Sequence, residues 1–202
     1  MTIQIKIDDI IAPSFRKVHR AIWNGSKSEI WLAGGRGSCK SSFTALQIIM
    51  GIISDPEANA LCLRKVNDTI RTSLLSTFQW AISILNADHL FTWTYAPAEI
   101  TYTPTGQKII LKGLDDPLKL KSIKARKGYF KYLWFEEAVE FNGMDEIRNV
   151  EQSVMRGGEK FVEFITYNPP NDPAAWVNKE SKIELPDRLV HYSTYLEVPR
   201  AW

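Results

Sequence analysis

The sequence predicts an α/β fold: a mainly parallel sheet flanked by helices, with a small antiparallel insertion. Three observations carry this. Short apolar runs of strand length alternate with longer runs of helical spacing along most of the chain. At one strand–helix junction stands a glycine-rich stretch, Gly34-Gly35-Arg36-Gly37-Ser38-Cys39-Lys40-Ser41-Ser42. Between residues 91 and 113 the rhythm breaks into short alternating segments joined by a clear turn.

Taken in order, residues 1–8 alternate like a strand and do not resemble a signal peptide. Residues 29–33 read as a short buried strand, and residues 41–53 as an apolar helix that Ser54-Asp55-Pro56 ends. Residues 60–64 form a second apolar run, so these three pieces predict a β-α-β unit in a parallel sheet. Residues 69–86 have helical spacing through Ile70, Leu74, Leu75, Phe78, Ala81, Ile82 and Leu85. Residues 92–95, 99–103 and 108–111 then predict an antiparallel meander, inserted or at an edge, with Pro104-Thr105-Gly106-Gln107 as its turn. Residues 131–135 are a buried-strand candidate ending at Glu136-Glu137, and residues 144–155 a helix. Residues 161–167 predict a strand running into Asn168-Pro169-Pro170, and residues 189–195 a last strand.

The chain has 202 residues, 45% of them hydrophobic, enough for one domain with a real core. No long uncharged apolar run indicates a membrane span. Two cysteines, Cys39 and Cys62, suggest a reducing compartment rather than a disulfide framework. The net charge of +2 excludes little, so any nucleic-acid contact must come from a local patch. No internal repeat or low-complexity tract is present.

The glycine-rich stretch reads as a phosphate-binding loop. A triphosphate is well held by backbone N–H groups converging at the positive end of a helix. Gly34, Gly35 and Gly37 leave that approach open, Lys40 can reach the β- and γ-phosphates, and the Ser41 hydroxyl can ligate Mg²⁺. The standard pattern G-x-x-x-x-G-K-[ST] places glycine where Cys39 stands. If that position is left-handed, cysteine costs roughly 1–2 kcal/mol. An ordinary glycine-rich turn before a helix is the plainer alternative. Cys39 also stands near a helix N-terminus and a lysine, which favour thiolate. That predicts selective alkylation with protection by ATP; the alternative is a plain buried thiol.

A buried strand ending in two carboxylates is the natural partner of such a loop. Side chains alternate along a strand, so Glu136 and Glu137 start in different directions. Glu136 is expected to face Mg²⁺, acting through a water. Glu137 is expected to orient or deprotonate an attacking water. A surface Glu-Glu pair after a strand is the plainer reading.

Together the arginine-bearing loop of residues 34–41, the segment Leu133-Trp134-Phe135-Glu136-Glu137-Ala138 and Phe164-Ile165-Thr166-Tyr167-Asn168-Pro169 resemble the ATPase domain of the large terminase subunit, the DNA-packaging motor of tailed bacteriophages. His191-Tyr192-Ser193-Thr194-Tyr195-Leu196 resembles the region where that domain closes, and the likeness spans roughly residues 25 to 200. The resemblance implies a P-loop NTPase of the additional-strand catalytic-glutamate type. It implies one ATPase domain over residues 1–202, with a nucleotide-binding core at 28–200 and an antiparallel subsheet at 91–113. In the roles it implies, residues 34–42 bind nucleotide, with Lys40 on the phosphates. Ser41 and Glu136 hold Mg²⁺, Glu137 is the catalytic carboxylate, and Arg36 stabilises the transferring phosphoryl group. Thr166 and Asn168 sense the γ-phosphate and couple hydrolysis to motion. The implied cofactors are ATP and Mg²⁺. The implied partners are double-stranded DNA, the portal protein and the small terminase subunit, with no membrane. The implied assembly is a ring of copies on the procapsid, or a monomer in isolation. The implied place is the host cytoplasm, with transient docking on the procapsid.

Two departures from the family pattern stand out besides Cys39. Residues 15–20 lie where a glutamine-containing adenine element is expected, yet hold no glutamine. The family's C-terminal nuclease domain, with its clustered acidic ligands, is expected to be absent from this chain. Rival readings are a small-molecule or nucleotide kinase and a non-hydrolysing nucleotide switch.

Lys119, Lys121, Lys124, Arg126, Lys127 and Lys131 form a candidate DNA-phosphate contact, or a solvated loop of mixed charge beside Asp115 and Asp116. Arg148 and Arg156 are candidates for acting on a neighbouring subunit's nucleotide, or plain surface arginines. The seven tryptophans are expected to pack rather than stack on bases. His19, His89 and His191 lack metal-site spacing.

Overall fold

The structure, a computed structural model, describes residues 6–66, 73–114 and 123–198. In chain order the elements are α1 (Ile7–Ile10), α2 (Arg16–Trp23), β1 (Glu29–Gly34), α3 (Lys40–Ser54), β2 (Ala58–Arg64), α4 (Leu74–Ile84), β3 (Phe91–Tyr95), β4 (Ala98–Tyr102), β5 (Gln107–Gly113), β6 (Tyr129–Glu136), α5 (Met144–Val154), β7 (Val162–Tyr167), α6 (Trp176–Glu180) and β8 (Arg188–Ser193). All eight strands join one sheet in the order β3-β4-β5-β2-β6-β7-β1-β8. From β5 to β8 every pairing is parallel. The pairings β3–β4 and β4–β5 are antiparallel.

The central strands are apolar runs because both faces of a parallel sheet are covered. Alternate residues of β1 leave in opposite directions. Ile30 and Leu32 join a core roofed by α2, α3 and α4. Trp31 and Ala33 join a second core beneath α5 and α6. Burying one such aliphatic or aromatic side chain contributes about 1.5–3 kcal/mol. The helix α3 can lie flush on the sheet because residue 51 is glycine: a Cβ there would stand 2.1 Å from the Tyr132 hydroxyl of β6.

The expected β-α-β unit is parallel, but its strands are not neighbours. Both β6 and β7 intervene between β1 and β2. Periodicity reports how deeply a run is buried, whereas neighbour order depends on crossovers. The expected antiparallel meander lies at the edge of the sheet, and β5 joins it to the rest by pairing parallel with β2.

At the N-terminus, residues 7–10 are helical rather than extended. Residues 1–5 of the expected strand lie outside the described residues. Asp8 and Asp9 sit in the first helical turn, where carboxylates are favourable, and Ile7 and Ile10 pack together against the first core. Three elements were not foreseen: α1, α2 and α6. The second of these is anchored by the Trp23 indole N–H, which donates to Gln47 Oε1 at 2.9 Å. Of the expected helix 69–86, residues 74–84 are α-helical, and residues 69–72 lie outside the described residues.

Candidate active site

The chain leaves β1 at Gly34 and enters α3 at Lys40, so the loop meets a helix N-terminus at the C-terminal edge of the sheet. A side chain at Gly34 would lie 2.2 Å from the carbonyl of Ser193 on β8. Gly37 has φ +75°, and Cys39 adopts φ 63°, ψ 15°. The left-handed conformation that the glycine of the standard pattern would relieve is therefore present, and it costs about 1–2 kcal/mol on cysteine.

Lys40 is buried at 8% exposure. Its ammonium donates to Gly34 O (2.7 Å), Gly35 O (3.0 Å), Ser38 Oγ (3.2 Å) and Asn168 Oδ1 (3.0 Å). Burial lowers its pKa, opposed by the negative charges of Glu137 and Glu136 and by Cys39. The contact with Asn168 ties the loop to the segment that follows β7.

The acidic pair stands across from the loop on the same edge. Glu136 is the last residue of β6 and is buried at 7% exposure. Its carboxyl is pushed up chiefly by burial, opposed by the Arg64 charge and by hydrogen bonds from Ser73 and Ser41. The hydroxyl of Ser73 donates to Glu136 Oε2 at 3.2 Å and itself accepts from Arg64 at 3.0 Å. Arg64 lies 3.8 Å from Glu136 and 3.3 Å from Glu140. Glu137 leaves the strand with φ 52°, ψ 54°, which re-aims the chain into the turn at Ala138–Glu140. Its charge acts on Lys40.

The sequence-predicted residues thus divide. Lys40, Ser41, Glu136, Glu137 and Asn168 converge through contacts and charge. Gly34, Gly35, Gly37, Ser38 and Cys39 shape the loop, and Ser42 sits half-buried in the first turn of α3. Arg36 is exposed on the loop, with no ion pair among the described residues. Thr166 does not reach the loop. Its Oγ1 accepts from the Trp134 indole at 2.9 Å and lies 3.4 Å from Phe135 O, inside the sheet.

Of the two readings of Cys39, its surroundings favour the plain thiol. Cys39 is half-buried against the first core. Burial pushes its thiol up, and the Lys40 charge opposes this without overcoming it. The thiolate-favouring surroundings are therefore outweighed by desolvation.

Arg64 and Ser73 were missed. The available signal was position: Arg64 ends β2, and C-terminal strand ends gather the site in this class of sheet. The basic segment before the acidic strand ends at the opposite edge, where β6 starts. There Lys131 pairs with Asp55 at 2.7 Å and Lys127 approaches Glu57 at 4.0 Å, while Lys119 and Lys121 lie outside the described residues. Arg148 lies 3.8 Å from both Asp145 and Glu180. A cavity of about 770 Å³, lined by Trp23, Lys27, Asp55 and Lys131 among others, also lies at that opposite edge. Chemistry rather than volume distinguishes the loop. Among the described residues, no cluster of three or more His, Cys, Asp or Glu is placed to hold a metal, and no helix is long and apolar enough to cross a membrane.

A parallel sheet with a glycine-rich loop after β1, an acid pair after β6 and a strand inserted between the two defines a P-loop nucleoside-triphosphatase fold. More narrowly, the chain belongs to the phage terminase large subunit family, whose model matches residues 26–199. It is 35% identical over 202 residues to the large terminase subunit of Bacillus phage SPP1, covering 97% of this chain and 48% of that protein. It is 32% identical over 128 residues to the PBSX phage terminase large subunit of Bacillus subtilis (strain 168), covering 62% of this chain and 28% of that one. The chain thus spans about half, or less, of the length of these relatives. Among solved structures, the large terminase of a thermophilic bacteriophage superposes with a TM-score of 0.73 at 15% identity, over 94% of this chain and 48% of that one. The N-terminal domain of the DNA packaging ATPase from bacteriophage phi29 gives a TM-score of 0.65 at 12% identity, over 86% of this chain and 93% of that one. These structural likenesses speak for the fold.

Proposed function

We propose that this chain is a Mg²⁺-dependent ATPase motor domain that drives double-stranded viral DNA into a procapsid. One observation carries the reading: Lys40 and Ser41 of the loop share one edge, and one network of contacts and charge, with Glu136, Glu137 and Asn168. Nucleotide-bound structures of the thermophilic phage's large terminase, with ADP and with ATP-γ-S, have this fold.

In this reading the loop amides and Lys40 hold the phosphates. Glu137 orients or deprotonates water for in-line attack. Arg36 offsets charge on the γ-phosphoryl group, a role worth about 10³–10⁵ in rate in other such enzymes. Asn168 reports the phosphate state to the segment after β7, and Thr166 steadies that strand from within the sheet. The donor set suits Mg²⁺: a serine hydroxyl hydrogen-bonded to one carboxylate offers few, hard oxygen ligands. Bound there, Mg²⁺ offsets charge on the phosphate oxygens. Residues 28–200 form the nucleotide-binding core. The proposed partners are duplex DNA, the portal protein, the small terminase subunit and further copies in a ring. The proposed setting is the host cytoplasm, with docking on the procapsid.

The test is steady-state ATP turnover beside nucleotide binding. Glu137→Gln is expected to lower turnover by about 10²–10⁴-fold while ATP-γ-S still binds. Stimulation of wild-type turnover by long duplex DNA separates a motor from a kinase, which would instead respond to a small phosphoryl acceptor. Undiminished turnover in Glu137→Gln would sink the catalytic assignment.

A further inference from the structure

At the edge of the sheet remote from the phosphate loop, a row of charged residues crosses three strands. Glu163 of β7 stands in register with Glu29 of β1, which stands in register with Arg188 of β8. Beside Glu163 on its other flank, β6 places the apolar Leu133. Glu163 and Glu151 of α5 line one cavity of about 260 Å³, together with Glu29, Arg148, Asp187 and Arg188.

A donor inventory shows which acid is left over. Arg188, with 2% of its side chain exposed, has five N–H groups. Its Nε and one terminal nitrogen contact Glu29 at 2.9 and 2.8 Å. The remaining donors go to Glu180 Oε1 (3.0 Å), Glu180 O (2.6 Å) and Ile183 O (3.1 Å). Glu29 also accepts from the Trp31 indole at 2.6 Å. Arg148 approaches Asp145 and Glu180 at 3.8 Å, beyond hydrogen-bonding distance, and Asp187 accepts from Ser28 Oγ. None of these donors hydrogen-bonds the buried Oε1 of Glu163, a residue 4% exposed. One oxygen of Glu163 and one of Glu151 are buried without a donor. The two carboxyls lie within hydrogen-bonding reach of each other.

Two ionised carboxylates cannot share a buried contact without a donor between them. One proton resolves both orphaned oxygens at once, since a protonated carboxyl donates to its ionised partner. We propose that Glu151 and Glu163 hold a single proton between them at neutral pH, a buried carboxyl–carboxylate bridge that fastens α5 to β7. The surroundings favour retaining it. Burial and the nearby charge of Glu29 both disfavour ionisation of Glu163, and Arg188, engaged elsewhere, only partly opposes them. The helix so fastened follows the Glu137 turn, and the strand runs on to Asn168. The bridge stands independently of the nucleotide reading.

The consequence is a proton taken up on folding. The native state binds it and the unfolded chain, with ordinary glutamates of pKa about 4.3, releases it. Stability from this source is therefore full below that range and falls as pH rises toward the pair's own, raised value. Chemical denaturation of wild type, Glu163→Gln and Glu151→Gln from about pH 5 to about pH 9 measures it. The amide variants keep a neutral donor, so their folding constants relative to wild type are expected to rise by up to about tenfold per pH unit. Infrared spectra of ¹³C-glutamate-labelled protein near neutral pH should show a protonated-carboxyl stretch in wild type that both variants lose. Parallel stability curves, or no such stretch in wild type, would overturn the bridge. Should Glu163→Gln fail to fold, Glu151→Gln and the wild-type spectrum decide.

Discussion

The two edges of this sheet each bury a glutamate and treat it differently. At the loop edge, Glu136 is surrounded by donors: Arg64, Ser73, Ser41 and, further off, the charge of Lys40. At the remote edge, Glu163 faces other carboxyls, and the arginine of its row is fully engaged. Burial raises the pKa of both acids. What differs is whether a donor remains to hold the anion. The loop edge keeps several donors around its buried carboxylate, whereas at the remote edge a single proton satisfies the pair. Burial alone therefore does not mark a reactive acid; the donors left over do.

Removing a donor from the loop edge should make it resemble the remote one. Arg64→Ala leaves Glu136 and Glu140 without their guanidinium, and the side chains involved are largely buried. A loss of about 2–3 kcal/mol is expected in urea unfolding, and a loss under about 0.5 kcal/mol would show that Arg64 is a bystander. The same variant bears on pH. Glu136 must be ionised to ligate a cation, and its carboxyl lies above the ordinary glutamate value. The acid limb of ATP turnover should accordingly sit above that value in wild type. It should move further up in Arg64→Ala, because the arginine is what holds the carboxyl down. An unmoved limb would dissociate Glu136 from turnover.

A smaller effect sharpens the contrast from the loop side. Asn168 is one of four acceptors around the Lys40 ammonium, which has three N–H groups. Asn168→Asp would convert that contact into an ion pair competing with phosphate for the same cation. ADP affinity measured by calorimetry is expected to fall about tenfold, or about 1.4 kcal/mol. Unchanged ADP affinity would mean that the contact does not compete with nucleotide. Smallest of all, Cys39→Gly relieves a left-handed cysteine at the cost of a little packing. A gain of about 0.5–1 kcal/mol in thermal or urea stability is expected.

Much of this arrangement was legible beforehand, and the particular failures are instructive. Each central strand was recognisable because a run buried on both faces is largely apolar, as in residues 30–33 and 132–135. The strained backbone at Cys39 was readable because the loop pattern has glycine there. Its titration was not, since the extent of burial is a property of the packed site. The neighbours of β1 were not readable either, because nothing local to residues 29–34 records that β7 and β8 will flank them. Arg64 and Ser73 escaped notice because a charged residue at a strand end and a serine before a helix look like ordinary surface. The Glu29–Arg188 contact joins positions 159 residues apart, beyond the reach of any pattern of spacing.

The absent side chain at position 51 has a mechanical consequence. With the Tyr132 ring seated against that bare stretch of helix, α3 and β6 are keyed to one another near the ends away from the glycine-rich loop. The lysine that opens the one and the glutamate that ends the other therefore belong to a single stiff frame. Sliding of α3 across the sheet would break that seating, so relative movement at the loop edge is left to the loop tip and the backbone beyond β7.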